Sequence, residues 1–179
     1  MSGLATSETI AGRVWMFGEH INTDLMLPGN VRHASVEVQA RNVFVANRPG
    51  WVDQVRAGDF IIAGQNFGTG SSRPAARSLR NVGIACVVAE TINSLFFRNA
   101  VNYGLLALEC PGVASAFTEG QTAEFAFANF TVRNRETGTV LQALSIPRKL
   151  LDIMVGGGLL PVLEARGLIA PELPKGTTP

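Results

Sequence analysis

The chain has 179 residues, 46% of them hydrophobic and 16% charged, with a formal net charge of +1. This balance excludes a disordered chain and offers no basic block for nucleic acid or an anionic membrane surface. No apolar run reaches the roughly 18 residues of a membrane-spanning helix, and Met1–Ile10 lacks the basic start and apolar middle of a signal peptide, so a cytoplasmic protein is expected.

In chain order, Arg13–Phe17 reads as a first strand, followed by the loop Gly18–Asp24 and Leu25–Pro28. Residues 29–58 are polar and mixed, with a turn at Pro49-Gly50, and Gly58-Asp59 introduces the next strand, Phe60–Ala63. A glycine turn leads into a helix over 74–82 that Gly83 caps. Ile84–Ala89 is a short, continuous apolar run, as in a strand buried on both faces. A helix over 94–102 stops near Gly104, and Leu105–Leu108 is another buried strand, ended by Pro111-Gly112. Strand, helix, strand, helix, strand implies a parallel sheet with right-handed crossovers, hence an α/β fold.

After Gly120, Ala123–Phe130 and Thr131–Arg133 read as strands, Arg135–Gly138 as a hairpin turn and Thr139–Leu144 as the returning strand. Helices are expected from Pro147 to about Val155 and from Leu159 to Arg166, separated by Gly156-Gly157-Gly158. With no internal repeat and no linker, the reading is one domain over 1–179, with its core over about 10–166 and a frayed tail over 171–179. Cys86 and Cys110 sit in apolar surroundings and read as reduced, buried thiols; the pair is too small a set to ligate an iron–sulfur cluster.

The segment with most chemistry is Gly64-Gln65-Asn66-Phe67-Gly68-Thr69-Gly70-Ser71-Ser72-Arg73. It joins a buried strand to a helix start, where backbone N–H groups point outward and the helix dipole favours negative charge. Arg73 adds a planar fork of donors suited to a carboxylate. Either the turn binds an anion or Ser71 and Ser72 merely cap the helix. It is not a phosphate loop, since no Gly-Lys-Ser or Gly-Lys-Thr follows, nor a dinucleotide fingerprint, nor a hydrolase elbow, because Arg73 stands two residues after Ser71. In Asn22-Thr23-Asp24, Asp24 is a hydrogen-bond acceptor for a ligand, an orienting partner for an arginine, or the start of a turn that bonds its own backbone. Arg32 is either a second carboxylate clamp or a solvated charge. No cluster of Asp, Glu or Cys at metal-ligand spacing surrounds His20 or His33. Asn99 and Asn102 share a helix face and could brace the turn from behind, whereas Phe96 and Phe97 read as core.

Taken in order, Asn22-Thr23-Asp24 with Pro28, Gly58-Asp59, the turn 64–73, Gly83-Ile84, Phe96-Phe97-Arg98-Asn99 and Asn102–Leu106 resemble the small subunits of 3-isopropylmalate dehydratase, which are similar to the swivelling C-terminal domain of aconitase. The resemblance is good over about 10–112 and looser at Gly157-Gly158-Leu159. It implies a swivelling β/β/α domain with a mostly parallel central sheet that closes over a large subunit. That partner holds a [4Fe–4S] cluster, while this chain holds none. The implied reaction is isomerisation of a 2-hydroxy dicarboxylic acid by dehydration and rehydration, with isopropylmalate in leucine biosynthesis as substrate and the cluster iron as Lewis acid.

By the same resemblance Ser71 removes the carbon-bound proton, helped by the helix terminus and Arg73. Ser72, Arg73, Arg32 and Asp24 bind substrate, and Asn22, Thr23, Gly68, Gly70 and Asn99 support them. Two departures stand out. Pro74-Ala75-Ala76 replaces the usual Glu-His-Ala after the arginine, and Gly29–His33 replaces the loop with the usual Tyr-Leu. They leave open a related substituted malate or a homoaconitate-like substrate, or a non-catalytic paralogue that binds a carboxylate or regulates a partner.

Overall fold

The computed structural model describes residues 8–70 and 73–170. The expected tail, 171–179, lies outside the described residues, as do Ser71 and Ser72. One seven-stranded sheet runs in the order β4-β3-β2-β1-β5-β6-β7. Its strands are β1 (Thr9–Phe17), β2 (Phe60–Ala63), β3 (Cys86–Ala89), β4 (Leu106–Glu109), β5 (Thr122–Ala126), β6 (Thr131–Asn134) and β7 (Val140–Gln142). Strands β1 to β4 are parallel, whereas β1, β5, β6 and β7 are antiparallel neighbours. The mixed sheet with its parallel core agrees with the expected α/β class.

Strand β1 is longer than the sequence implies because it serves two partners. Thr9–Arg13 pair antiparallel with β5, and Val14–Phe17 pair parallel with β2. At the changeover, Gly12 lies so close to Gly58 that a Cβ would sit 1.9 Å from its carbonyl oxygen. A glycine is needed there because backbone fills the space a side chain would take. The expected strand Ala123–Phe130 ends at Ala126, and a turn, with Phe130 at φ 55°, leads to β6.

Helices α1 (Thr23–Met26), α2 (Val36–Arg41), α3 (Ala75–Asn81), α4 (Ser94–Tyr103), α5 (Val113–Ala116), α6 (Arg148–Val155) and α7 (Leu159–Ala165) complete the fold. Helix α3 packs between α2 and α4, and α6 packs on α4. Helix α4 ends where Gly104 turns left-handed at φ 69° and donates its N–H to the carbonyls of Ala100 and Val101.

The segment 29–58 departs most from its polar reading. It contains α2, and Val43, Phe44 and Trp51 are fully buried. Phe44 stacks on Phe17 with centroids 4.3 Å apart, and Trp51 meets Phe17, Phe44 and Trp15 edge-on. Three apolar residues scattered among charges have no strand or helix period, yet their tertiary contacts close one face of β1.

At the N-terminal end of β2, Asp59 is buried. Its Oδ2 accepts from Arg13 Nη2 at 2.7 Å, Trp15 Nε1 at 2.7 Å and the Arg56 N–H at 2.9 Å. Burial raises the Asp59 pKa, but the hydrogen bonds from Arg13, the Arg56 backbone and Trp15 outweigh it and hold the carboxyl below its ordinary value.

Candidate active site

The C-terminal ends of β1, β2 and β3 feed three adjacent loops, the position where parallel sheets place their sites. The central loop is the glycine turn after β2. The β1 loop stitches it from one side. His20 N–H donates to the Gln65 carbonyl at 2.8 Å, Gly68 N–H to Ile21 at 2.7 Å, and Thr23 N–H to Thr69 at 2.7 Å. The β3 loop stitches it from the other. Asn66 N–H donates to Thr91 Oγ1 at 2.8 Å, Phe67 N–H to the Thr91 carbonyl at 3.0 Å, and Asn93 N–H to the Phe67 carbonyl at 2.8 Å. Glu109, at the end of β4, fixes that second loop by accepting from the Ile92 N–H at 2.6 Å.

Two glycines in the turn are required by geometry. Gly68 has φ +83° and lies against Phe96, whose ring carbon would be 2.4 Å from an added Cβ. Gly70 has φ +100° and a Cβ there would meet Thr23 Oγ1 at 3.2 Å. Phe96 thus braces the turn from behind at Gly68. Asn99 is half-buried and Asn102 exposed on α4. Phe96, which reads in the sequence as core alone, also forces the turn to remain glycine at 68.

Asn22, Thr23 and Asp24 form the opening of α1. Asn22 Oδ1 caps the helix by accepting the Leu25 N–H at 2.8 Å, and Thr23 is buried. Asp24 Oδ1 lies 2.6 Å from Arg73 Nε, the contact expected of an orienting partner. Arg73 Nη1 donates to the Leu27 carbonyl at 2.7 Å, with Gly29 packed against the same guanidinium. The arginine is therefore held from two sides by the segment 24–29, and Asp24 offsets part of its charge.

The fold therefore gathers Asn22, Thr23, Asp24, Gly68, Gly70 and Arg73. It places Arg32 in the adjoining loop with an exposed side chain. Ser71 and Ser72 fall between Gly70 and Arg73, outside the described residues. His20, at φ 54°, sits on the rim with Nδ1 3.4 Å from Asn66 Nδ2, and His33 is exposed. Among the described residues no three His, Cys, Asp or Glu gather to hold a metal ion.

Sequence reasoning missed two residues beside this site. Gln39 of α2 is buried and receives Arg77 Nη2 of α3 at 2.9 Å. Neither belongs to a motif, and a lone glutamine on a short polar helix gives no signal of burial. A groove of about 300 Å³ lined by Ile92, Phe97, Ala107, Leu144, Ile146 and Pro147 shares none of its lining with the turn 64–73. Its lining is mostly apolar, with Ser94, Glu109 and Ser145 as the polar members, and it borders the β3 loop at Ile92 and Glu109.

Comparison with known proteins agrees with this geometry. The aconitase C-terminal domain family matches residues 19–112. The 3-isopropylmalate dehydratase small subunit 1 of Methanopyrus kandleri is 41% identical over 162 residues, covering 89% of this chain and 95% of that protein. The isopropylmalate/citramalate isomerase small subunit of Methanocaldococcus jannaschii is 38% identical over 159 residues, covering 88% of this chain and 95% of that protein. A crystal structure of 3-isopropylmalate dehydratase from Methanocaldococcus jannaschii superposes with a TM-score of 0.83 at 28% identity, over 90% of this chain and 96% of that one.

Proposed function

The chain belongs to the aconitase C-terminal domain family, among the small subunits of 3-isopropylmalate dehydratase, and from that membership we propose how its residues divide the work. It is one subunit of a hydro-lyase and works together with a large subunit. Its substrate is 3-isopropylmalate, interconverted with 2-isopropylmalate in leucine biosynthesis, in the cytoplasm.

The turn 64–73 supplies the proton chemistry. Ser71, as the alkoxide, takes the carbon-bound proton onto its Oγ and becomes the hydroxyl, and Ser72 and Arg73 hold a substrate carboxylate. Arg32 is the second clamp, and Asp24 keeps Arg73 aimed. The observation that carries this reading is the double stitching of the turn together with the clamped Arg73. A site held by backbone bonds on both sides loses little on binding and reacts without reorganising.

The [4Fe–4S] cluster belongs to the large subunit. Such a cluster usually takes four thiolates, and this chain has two cysteines, Cys86 and Cys110. Cys86 is buried, which pushes its pKa well above the ordinary value, and burial together with Glu90 pushes Cys110 up to about 11. The residues of this chain do not fit a cluster, and none of the steps assigned to them passes through it.

A second reading, a smaller substituted malate such as citramalate, is favoured by the dual name of the Methanocaldococcus relative, and the departure at Gly29–His33 leaves room for it. Anaerobic co-purification with the large subunit, followed by assay on 3-isopropylmalate and citramalate, tests both. The complex is expected to turn over isopropylmalate and the chain alone nothing. Turnover by the isolated chain, or a cluster-loaded complex inactive on every substituted malate, would overturn the assignment. A strong preference for citramalate would select the second reading.

A further inference from the structure

Arg73 stands two residues before α3 and Arg77 lies within it. Both reach the segment between α1 and α2. Arg73 takes Asp24 and the Leu27 carbonyl at its near end. Arg77 takes the far end indirectly, through Gln39. Gln39 is 2% exposed, and its Oε1 receives Arg77 Nη2 at 2.9 Å. Its Nε2 donates to the carbonyls of Arg32 at 2.8 Å and Ala34 at 3.2 Å.

Three bonds use both amide hydrogens and the amide oxygen. Only one orientation of the amide satisfies them, since the flipped form would face an NH2 to a guanidinium and an oxygen to two carbonyls. The amide thus converts a guanidinium, which has donors only, into a pair of donors aimed at two backbone carbonyls. Arg77 is itself fixed on its other side, with its guanidinium carbon 5.6 Å from the Tyr103 ring centroid.

We propose that Gln39 and Arg77 are positioning residues that fix the backbone of Arg32 relative to the glycine turn, and thereby set substrate discrimination in the assembled enzyme. This rests on the reading of Arg32 as a substrate clamp. Arg32 and His33 are exposed and no regular element spans 32–35; beside the local turn bonds and the Ser35 cap, the two carbonyl bonds from a buried side chain tie Arg32 and Ala34 to α2. Arg73 and Arg77 thus give the two ends of this segment a common reference at the start of α3.

The test uses the complex with the large subunit, carrying Gln39→Met, Gln39→Glu, Arg32→Met or the Gln39→Met/Arg32→Met pair. Gln39→Met keeps the volume and removes all three bonds. Gln39→Glu keeps an acceptor for Arg77 but presents oxygens to the two carbonyls, so it is expected to loosen the loop even where the methionine variant folds poorly. Two measurements are read: KM and kcat for 3-isopropylmalate and citramalate, and amide hydrogen exchange over residues 31–35. Both Gln39 variants are expected to raise exchange there about tenfold and KM about tenfold, with kcat within about twofold and a changed ratio of the two KM values. The methionine change is expected to add nothing further in the Arg32→Met background.

Wild-type KM values and an unchanged substrate ratio in a folded Gln39 variant would overturn the proposal, as would full additivity with Arg32→Met. If the wild-type complex turns over no substituted malate, the functional reading fails by itself. Exchange over 31–35 then decides the brace alone: faster in the variants supports it, and unchanged overturns it.

Discussion

The two halves of the sheet bury their residues differently, and the difference marks where chemistry is placed. In the parallel half, β2 and β3 are buried at every position. In the antiparallel half, β5 alternates buried with half-buried and β7 has no buried residue. Parallel strands all end on the same side, so their following loops meet and can stitch one another, as those of β1, β2 and β3 do around the glycine turn. Antiparallel neighbours send successive loops to opposite ends. The half containing β5, β6 and β7 has a polar cluster too, but one closed on itself: buried Asn134 donates to the Ala116 carbonyl and to Gln121 Oε1 and accepts from the Glu136 and Thr137 N–H groups, fixing the hairpin turn, while Phe125, fully buried, packs edge-on to Phe127 and Phe130.

That contrast can be broken experimentally by substitutions in each half. Phe125→Ala is expected to cost the most stability, about 3–5 kcal/mol as for other buried aromatics. Thermal unfolding should show the loss, while the complex that remains folded keeps its KM and kcat. A large change in KM would mean that the antiparallel half shapes the site after all. Gly68→Ala, in the parallel half, adds a Cβ 2.3 Å from Phe96 at φ +83°. It is expected to cost about 2–4 kcal/mol from overpacking and left-handed strain together and, unlike Phe125→Ala, to lower activity with stability.

Arg73→Lys removes the fork that reaches both Asp24 and the Leu27 carbonyl. KM is expected to rise about tenfold to a hundredfold, the worth of a charge-assisted hydrogen bond, with the melting temperature nearly unchanged. An unchanged KM would remove Arg73 from the substrate grip. The smallest effect concerns Asp59, at the opposite end of β2. Its folded pKa lies below the unfolded value, so it stabilises fully above about pH 4, and that stability is lost as pH falls through the folded pKa. Asp59→Asn is expected to lose on the order of 1 kcal/mol at neutral pH and to flatten the acid limb of a stability profile. A parallel acid limb in the variant would assign that limb to other carboxylates.

Legibility in the sequence follows the same division. The parallel strands are visible because a strand buried on both faces is a continuous apolar run, and the turn is visible because left-handed backbone demands glycine at 68 and 70. The segment 29–58 is opaque: Phe44 and Trp51 are core by tertiary contact alone, without periodicity. The early stop of β5 at Ala126 is also hidden, since Phe127 and Phe130 are apolar but pack from a turn. In the site, Asp24 meets Arg73, which is one of the three readings its sequence leaves open, beside the substrate binding that the resemblance implies. Gln39 and Arg77 are not legible, because a buried amide between two carbonyls and a guanidinium leaves no trace in spacing. The Pro74-Ala75-Ala76 departure differs from Glu-His-Ala at its first two residues, and the second has a structural explanation: Ala75 is fully buried at the start of α3. Larger or charged side chains there would need other neighbours.

The most direct measurement of the assignment is solvent deuterium exchange into substrate by the reconstituted complex, wild type against Ser71→Ala. With Ser71 as the base, the variant binds substrate with a Kd near that of wild type while exchange at the substrate carbon falls by about 10²–10⁴. Exchange at the wild-type rate in the Ser71→Ala complex would contradict the account and place the base outside the glycine turn.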